Sequence, residues 1–90
     1  MRVARRYVLK GRVQGVGFRF FTERAAGIED IHGWVANRED GAVEVFAEGE
    51  IEAVTRFERR LRQGPPAARV DDVWVDEDVP SERRTGFSIR

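Results

Sequence analysis

The chain reads as an α+β domain in which two helices lie on one face of an antiparallel sheet, in the order β-α-β-β-α-β (βαββαβ). This is a split βαβ sandwich. Three observations predict it. Apolar residues alternate with polar ones along two strand-length segments, and apolar residues recur at helical spacing in two others. Glycine, proline and Asp-Gly signals fall between them. Ninety residues, 41% hydrophobic and 36% charged, suit one modest core and therefore one domain over residues 1–90.

In the first strand Val3, Tyr7, Leu9 and Val13 share one parity, and Arg6, Lys10 and Arg12 share the other. A glycine loop, Gln14–Phe18, follows. Phe21, Ala25 and Ile28 then form the stripe of a short helix, which Gly27 weakens and threatens to end early. The second strand is Gly33-Trp34-Val35-Ala36-Asn37, and Asp40-Gly41 marks a hairpin turn. The third strand, Gly41–Glu48, sets Val43, Val45 and Ala47 opposite Glu44 and Glu48. Ile51, Val54, Phe57 and Leu61 face inward from the second helix, which Gln63-Gly64-Pro65-Pro66 stops. Val70, Val73 and Val75 belong to a fourth strand beside the first. Pro80–Gly86 is a polar loop, and Phe87-Ser88-Ile89 closes the chain.

Composition excludes several chemistries. Cysteine is absent, so there is no disulfide, thiol nucleophile or cysteine-bound zinc. The single histidine, His32, cannot build a multi-histidine metal site, and neither Ser81 nor Ser88 sits in a nucleophile elbow. His32 reads as a packed or solvated side chain. No apolar run spans a membrane and no signal-peptide core opens the sequence, so a cytoplasmic protein without membrane contact is expected. A formal net charge of zero argues against nucleic acid as a partner. The charge is unevenly spread: residues 1–24 carry seven basic side chains and one acidic one, and residues 71–82 carry six acids and no base. Pairing between neighbouring strands accounts for most of these charges, with Arg19 set apart. No apolar surface stripe demands a partner, so a monomer is expected.

Gln14-Gly15-Val16-Gly17-Phe18-Arg19 is the segment that carries chemistry. Its glycines allow consecutive backbone N–H groups to converge on an anion. The helix start just beyond adds unpaired N–H groups and partial positive charge. Arg19 contributes a planar fork suited to two phosphate oxygens. Alone, a Gly-x-Gly pair is more often just a turn. It is neither the dinucleotide pattern nor a Walker loop, which require further residues that are missing here. Asn37, by itself, reads as a turn residue as well.

The segments VQGVGFRFFTERAA, GWVANREDGAVEVFAEG, GPPAARVDDV and GFSIR together resemble the acylphosphatase family over nearly the whole chain. The most diagnostic pieces are Gly15-Val16-Gly17-Phe18-Arg19 and Gly33-Trp34-Val35-x-Asn37. The resemblance implies a ferredoxin-like sandwich that hydrolyses acyl phosphates, which are carboxylic–phosphoric mixed anhydrides, without metal or cofactor. It also implies that Arg19 binds phosphate with the loop from Gln14 to Phe18, and that Asn37 holds the attacking water. Phosphate or sulfate is expected to occupy the same site. Thr22 is either a first-turn helix residue or a support for Asn37. Trp34 is expected at the core edge, and Phe18, Phe20 and Phe21 are expected to seat the loop in the core. The sequence departs from the family at Glu29-Asp30-Ile31, where Leu-Gly-Leu is usual, which leaves the end of the first helix open. Two competing readings are a non-catalytic phosphate-binding module and an RNA-recognition domain. Retention of both Arg19 and Asn37 disfavours the first. The second fails because the Gly-Phe-rich run falls on a loop and helix start rather than on a central strand.

Overall fold

Strand β1 (Arg2–Arg12) buries Tyr7 and Leu9 completely and leaves Arg6 and Lys10 in solvent, as its alternation predicts. The computed structural model describes residues 1–81 and 85–90. After β1 come α1 (Phe18–Glu29), β2 (His32–Asn37), β3 (Val43–Glu50), α2 (Ile51–Gln63), β4 (Arg69–Asp78) and β5 (Phe87–Ile89). The sheet order is β4-β1-β3-β2-β5. The four longer strands pair antiparallel, as expected. The closing strand departs from that pattern: β5 runs parallel to β2, so the full sheet is mixed.

Both helices pack on one face, α1 over β2 and β5, and α2 over β1, β3 and β4. Val54, Phe57 and Leu61 of α2 are fully buried, and the Phe57 ring meets Tyr7 and Phe87 edge-on at 6.4 and 6.2 Å. With β4 beside β1, the basic and acidic segments do pair. Arg5 Nε lies 3.1 Å from Glu77, and Arg6 Nη2 lies 3.9 Å from Asp78. Lys10 pairs with Asp72 and Gly11 with Val70, which leaves Asp71 as the extra residue of a bulge. The bulge lets Val70 and Val73, of opposite parity, both pack against the core.

Helix α1 corrects the expected stripe. Its buried side is Phe18, Thr22, Ala25, Ala26 and Glu29, whereas Ile28 is 61% exposed and Phe20 is 70% exposed. Two polar residues occupy core positions, which hides the phase of the helix. Thr22 is satisfied there because its hydroxyl donates to the Phe18 carbonyl at 2.9 Å. Glu29 is satisfied because Arg56 and Arg60 donate to its two oxygens at 2.8 and 3.2 Å. Gly27 does not end the helix. Asp30 does, in the left-handed conformation (φ 55°, ψ 47°), and both its N–H and that of Ile31 return to the Ala26 carbonyl.

Glu48 is a second correction. Alternation sets it opposite the valines of β3, yet it is fully buried. Arg2 reaches it at 3.3 Å, and the Ser81 N–H donates to it at 2.9 Å. The polar loop expected over Pro80–Gly86 includes residues 82–84, which lie outside the described residues. His32 is structural: its Nδ1 accepts the Gly86 N–H at 2.7 Å. No described helix is long and apolar enough to cross a membrane.

Two glycines of opposite duty test this packing. At Gly33 (φ 147°) an added Cβ would collide with the Phe46 carbonyl, so Gly33→Ala should cost more than ~2 kcal/mol in urea unfolding. At Gly27 an added Cβ meets nothing within 4 Å, so Gly27→Ala should stabilise by about 0.5–1 kcal/mol. Acid tests the Glu29 clamp. The Arg56 hydrogen bond, helped by Arg60, outweighs burial and holds the Glu29 carboxyl below its usual 4.5. A depressed folded pKa means that the contribution is present above 4.5 and is lost as pH falls through the folded value. The stability gap between wild type and Glu29→Gln should therefore narrow below pH 4.5, as read by thermal melts across pH.

Candidate active site

β1 delivers Val13 into the core, and α1 begins by burying Phe18. Only four residues join these two anchors, so the backbone must turn sharply. Gly15 (φ 73°) and Gly17 (φ 77°) make the turn in the left-handed region. A side chain at either position would meet nothing within 4 Å, so dihedral angle rather than space demands glycine there.

Gly17 is also the N-cap of α1, and it has no side chain with which to cap. The first turn contains no acidic residue. Phe21 N–H donates to the Gly17 carbonyl at 3.0 Å, which leaves the N–H groups of Phe18, Arg19 and Phe20 ahead of the helical ladder. These groups form the positive end of a twelve-residue helix. A cavity of about 100 Å³ opens there, lined by Gly15, Gly17, Phe18, Arg19, Phe20 and Asn37 against Val13. Among the described residues, Arg19 is the one charged residue in this lining, and no carboxylate shares it. The cavity suits an anion.

Arg19 is half-buried, and its Nη1 donates to the Arg90 carbonyl at 3.2 Å. Arg90 is placed in turn by its own N–H, which donates to Val35 at 2.8 Å. Its guanidinium lies 4.6 Å from the centre of the Trp34 ring. Trp34 stacks on Phe46 of the neighbouring β3 with 17° between ring planes, and it is not among the residues that line the cavity. Arg19 is thereby tethered at one nitrogen, with the rest of its fork left to meet a ligand.

Asn37 ends β2, opposite Val43. The turn beyond it closes without it. Arg38 N–H donates to Ala42 at 2.8 Å, Gly41 N–H donates to Arg38 at 3.2 Å, and Asp40 accepts the Ala42 N–H at 3.0 Å. The Ala42 N–H, aided by Arg38 and Lys10, holds the Asp40 carboxyl below its usual range. The side-chain amide of Asn37 has no protein partner among the described residues.

Gln14 and Val16 act differently from the rest of the expected loop site. Gln14 Nε2 donates to the carbonyls of Arg38 and Ala42 at 2.8 and 3.0 Å, strapping the loop to the turn after Asn37. Val16 packs on the core. Each keeps a backbone N–H, while its side chain is used elsewhere. Thr22 bonds back to its own helix rather than to Asn37. Of the aromatics expected to seat the loop, Phe18 does so, Phe21 is half-buried against it, and Phe20 stands exposed at the cavity. Sequence reasoning missed the Arg90 carbonyl, since a backbone acceptor supplied by strand pairing leaves no residue signature.

The Gln14 strap carries a prediction. Gln14→Ala removes a second donor from the Arg38 and Ala42 carbonyls, which keep their backbone donors, and should cost about 1 kcal/mol in denaturant unfolding. Amide exchange should quicken in the Arg38–Ala42 turn and remain unchanged in α2.

Comparison with known proteins agrees with the geometry. The Acylphosphatase family model matches residues 5–89. An acylphosphatase of Koribacter versatilis is 47% identical over 85 residues, covering 94% of this chain and 77% of the relative. The crystal structure of the acylphosphatase from Bacillus subtilis superposes with a TM-score of 0.94 at 41% identity, covering 98% of each chain. A full-length HypF in its phosphate- and nucleotide-bound form gives a TM-score of 0.89 at 31% identity, with this chain spanning 12% of that protein. The sheet, the uncapped helix start behind its glycine loop and these matches place the chain in the acylphosphatase family.

Proposed function

We propose that this acylphosphatase grips the phosphoryl group of its substrate with Arg19 and the backbone amides of residues 14–19, and that Asn37 positions the attacking water. The chain is a hydrolase of acid anhydrides: it converts acyl phosphates to carboxylate and phosphate. One observation carries the assignment of roles. Arg19 and Asn37, distant in sequence, line the same small cavity at the uncapped start of α1.

The step follows from this chemistry. The phosphoryl dianion sits against the amides and the Arg19 fork. Water held by the Asn37 amide, which both donates and accepts, attacks phosphorus in line with the leaving group. The bond between phosphorus and the acyl oxygen breaks, and its electron pair leaves with the carboxylate. One proton of the water passes to a phosphoryl oxygen, because no described lining residue is a base. The transition state is loose, so positioning and charge stabilisation supply most of the rate. The step uses no metal and no cofactor. We place the reaction in the cytoplasm and assign it to one monomeric domain over residues 1–90. The absence of cysteine supports the cytoplasmic placement.

Release of phosphate from benzoyl phosphate tests these roles. Arg19→Ala should lower kcat/KM by roughly a thousandfold and weaken inhibition by inorganic phosphate. Arg19→Lys should recover little, since a point charge does not replace a fork. Asn37→Ala should lower kcat by roughly a hundredfold and leave phosphate inhibition intact. Equal loss of phosphate affinity in the Arg19 and Asn37 variants would contradict the division of labour. A pH–rate profile with a basic limb belonging to the enzyme would contradict proton transfer to the substrate. Bound phosphate without any acceleration over buffer would leave a binding module only.

A further inference from the structure

Phe20 stands 70% exposed in the first turn of α1, yet it lines the cavity shared by Arg19 and Asn37. The fold makes no use of its ring. Phe18 is buried, Phe21 packs edge-on against Phe18 at 5.8 Å, and Phe20 makes no ring contact among the described residues. A lone exposed aromatic is ordinary on a protein surface. The other apolar side chains of the lining, Val13 and Phe18, are buried in the core, so an exposed aromatic at this anion site is a feature that packing does not explain.

The cavity is small. At about 100 Å³ it falls well below the roughly 300–1,000 Å³ of pockets that engulf a whole organic ligand. It has room for a phosphoryl group and little more. In-line attack also sends the acyl group away from the water at Asn37, so that group must lie outside, across the mouth. The other side chains of the lining that reach solvent are polar: half-buried Arg19 and exposed Asn37. Phe20 is the apolar surface that an acyl group meets there.

We propose that Phe20 is a specificity-determining contact for the acyl half of the substrate, favouring acyl phosphates with an aryl or extended apolar group. The inference rests on the phosphate cradle assigned to Arg19. A benzoyl ring stacked or edge-on against Phe20 buries apolar surface on both partners and adds an aromatic pair. An acetyl group is too short to gain either.

The test compares kcat/KM for benzoyl phosphate and acetyl phosphate in wild type, Phe20→Ala and Phe20→Tyr, with inhibition by inorganic phosphate measured in each. The benzoyl-to-acetyl ratio cancels the intrinsic reactivities of the two anhydrides when variants are compared. Phe20→Ala should lower that ratio about tenfold, equivalent to ~1.4 kcal/mol, with acetyl phosphate within about twofold of wild type. Phe20→Tyr should restore the ratio, and phosphate inhibition should stay constant throughout. An unchanged ratio in Phe20→Ala, or weakened phosphate inhibition in that variant, would overturn the proposal. Failure of the cradle is separately visible, because Arg19→Ala would then retain activity on both substrates whatever the ratio does at Phe20.

Discussion

The constraint on which this molecule depends is a helix that begins without a cap. Side-chain capping by serine, threonine or aspartate commonly contributes about 1 kcal/mol. Helix α1 forgoes it, with Gly17 at the N-cap and no acid in the first turn. A capping carboxylate would sit where the proposed phosphate must sit. The unpaired amides are thus both a local deficit of stability and the means of holding an anion. The deficit is tolerable because the two ends of the loop are anchored by Val13 and Phe18, both almost fully buried.

The rest of the fold holds this terminus against its neighbours. Gln14 reaches across to Arg38 and Ala42, residues 24 and 28 positions away, and couples the loop to the end of β2. Arg19 reaches the Arg90 carbonyl, 71 positions away, which the parallel pairing of β5 with β2 brings alongside. Arg90 in turn lies over Trp34. Each tether ends on a backbone carbonyl, so it holds a side chain without adding negative charge to the cavity. The catalytic demand is mainly geometric. A sheet that fixes three segments of chain relative to one another answers it.

Much of this was legible in the sequence because it rests on local chemistry. The parity of Tyr7 and Leu9, the spacing of Val54, Phe57 and Leu61, and the turn at Asp40-Gly41 each follow from short-range rules, and each holds in the structure. The loop and its two glycines were legible because left-handed backbone leaves a glycine signature. What was hidden involves partners far along the chain. Thr22 and Glu29 are polar and give no core signal until their acceptor and donors are in place, so the stripe of α1 was read through Phe21, Ala25 and Ile28 instead. Glu48 read as solvated until Arg2 and Ser81 closed over it. The αL cap at Asp30 was obscured because glycine is the residue that usually marks it. The side-chain duty of Gln14 carries no local signal at all.

The most direct test is a crystal structure of the chain soaked in inorganic phosphate. The account predicts one phosphate at the start of α1, its oxygens within hydrogen-bond distance of the amides of residues 15–19 and of the Arg19 fork. The Asn37 amide should face it across a single ordered water. Phosphate bound elsewhere with that helix terminus bare, or Arg19 turned out into solvent beside a bound ion, would contradict it.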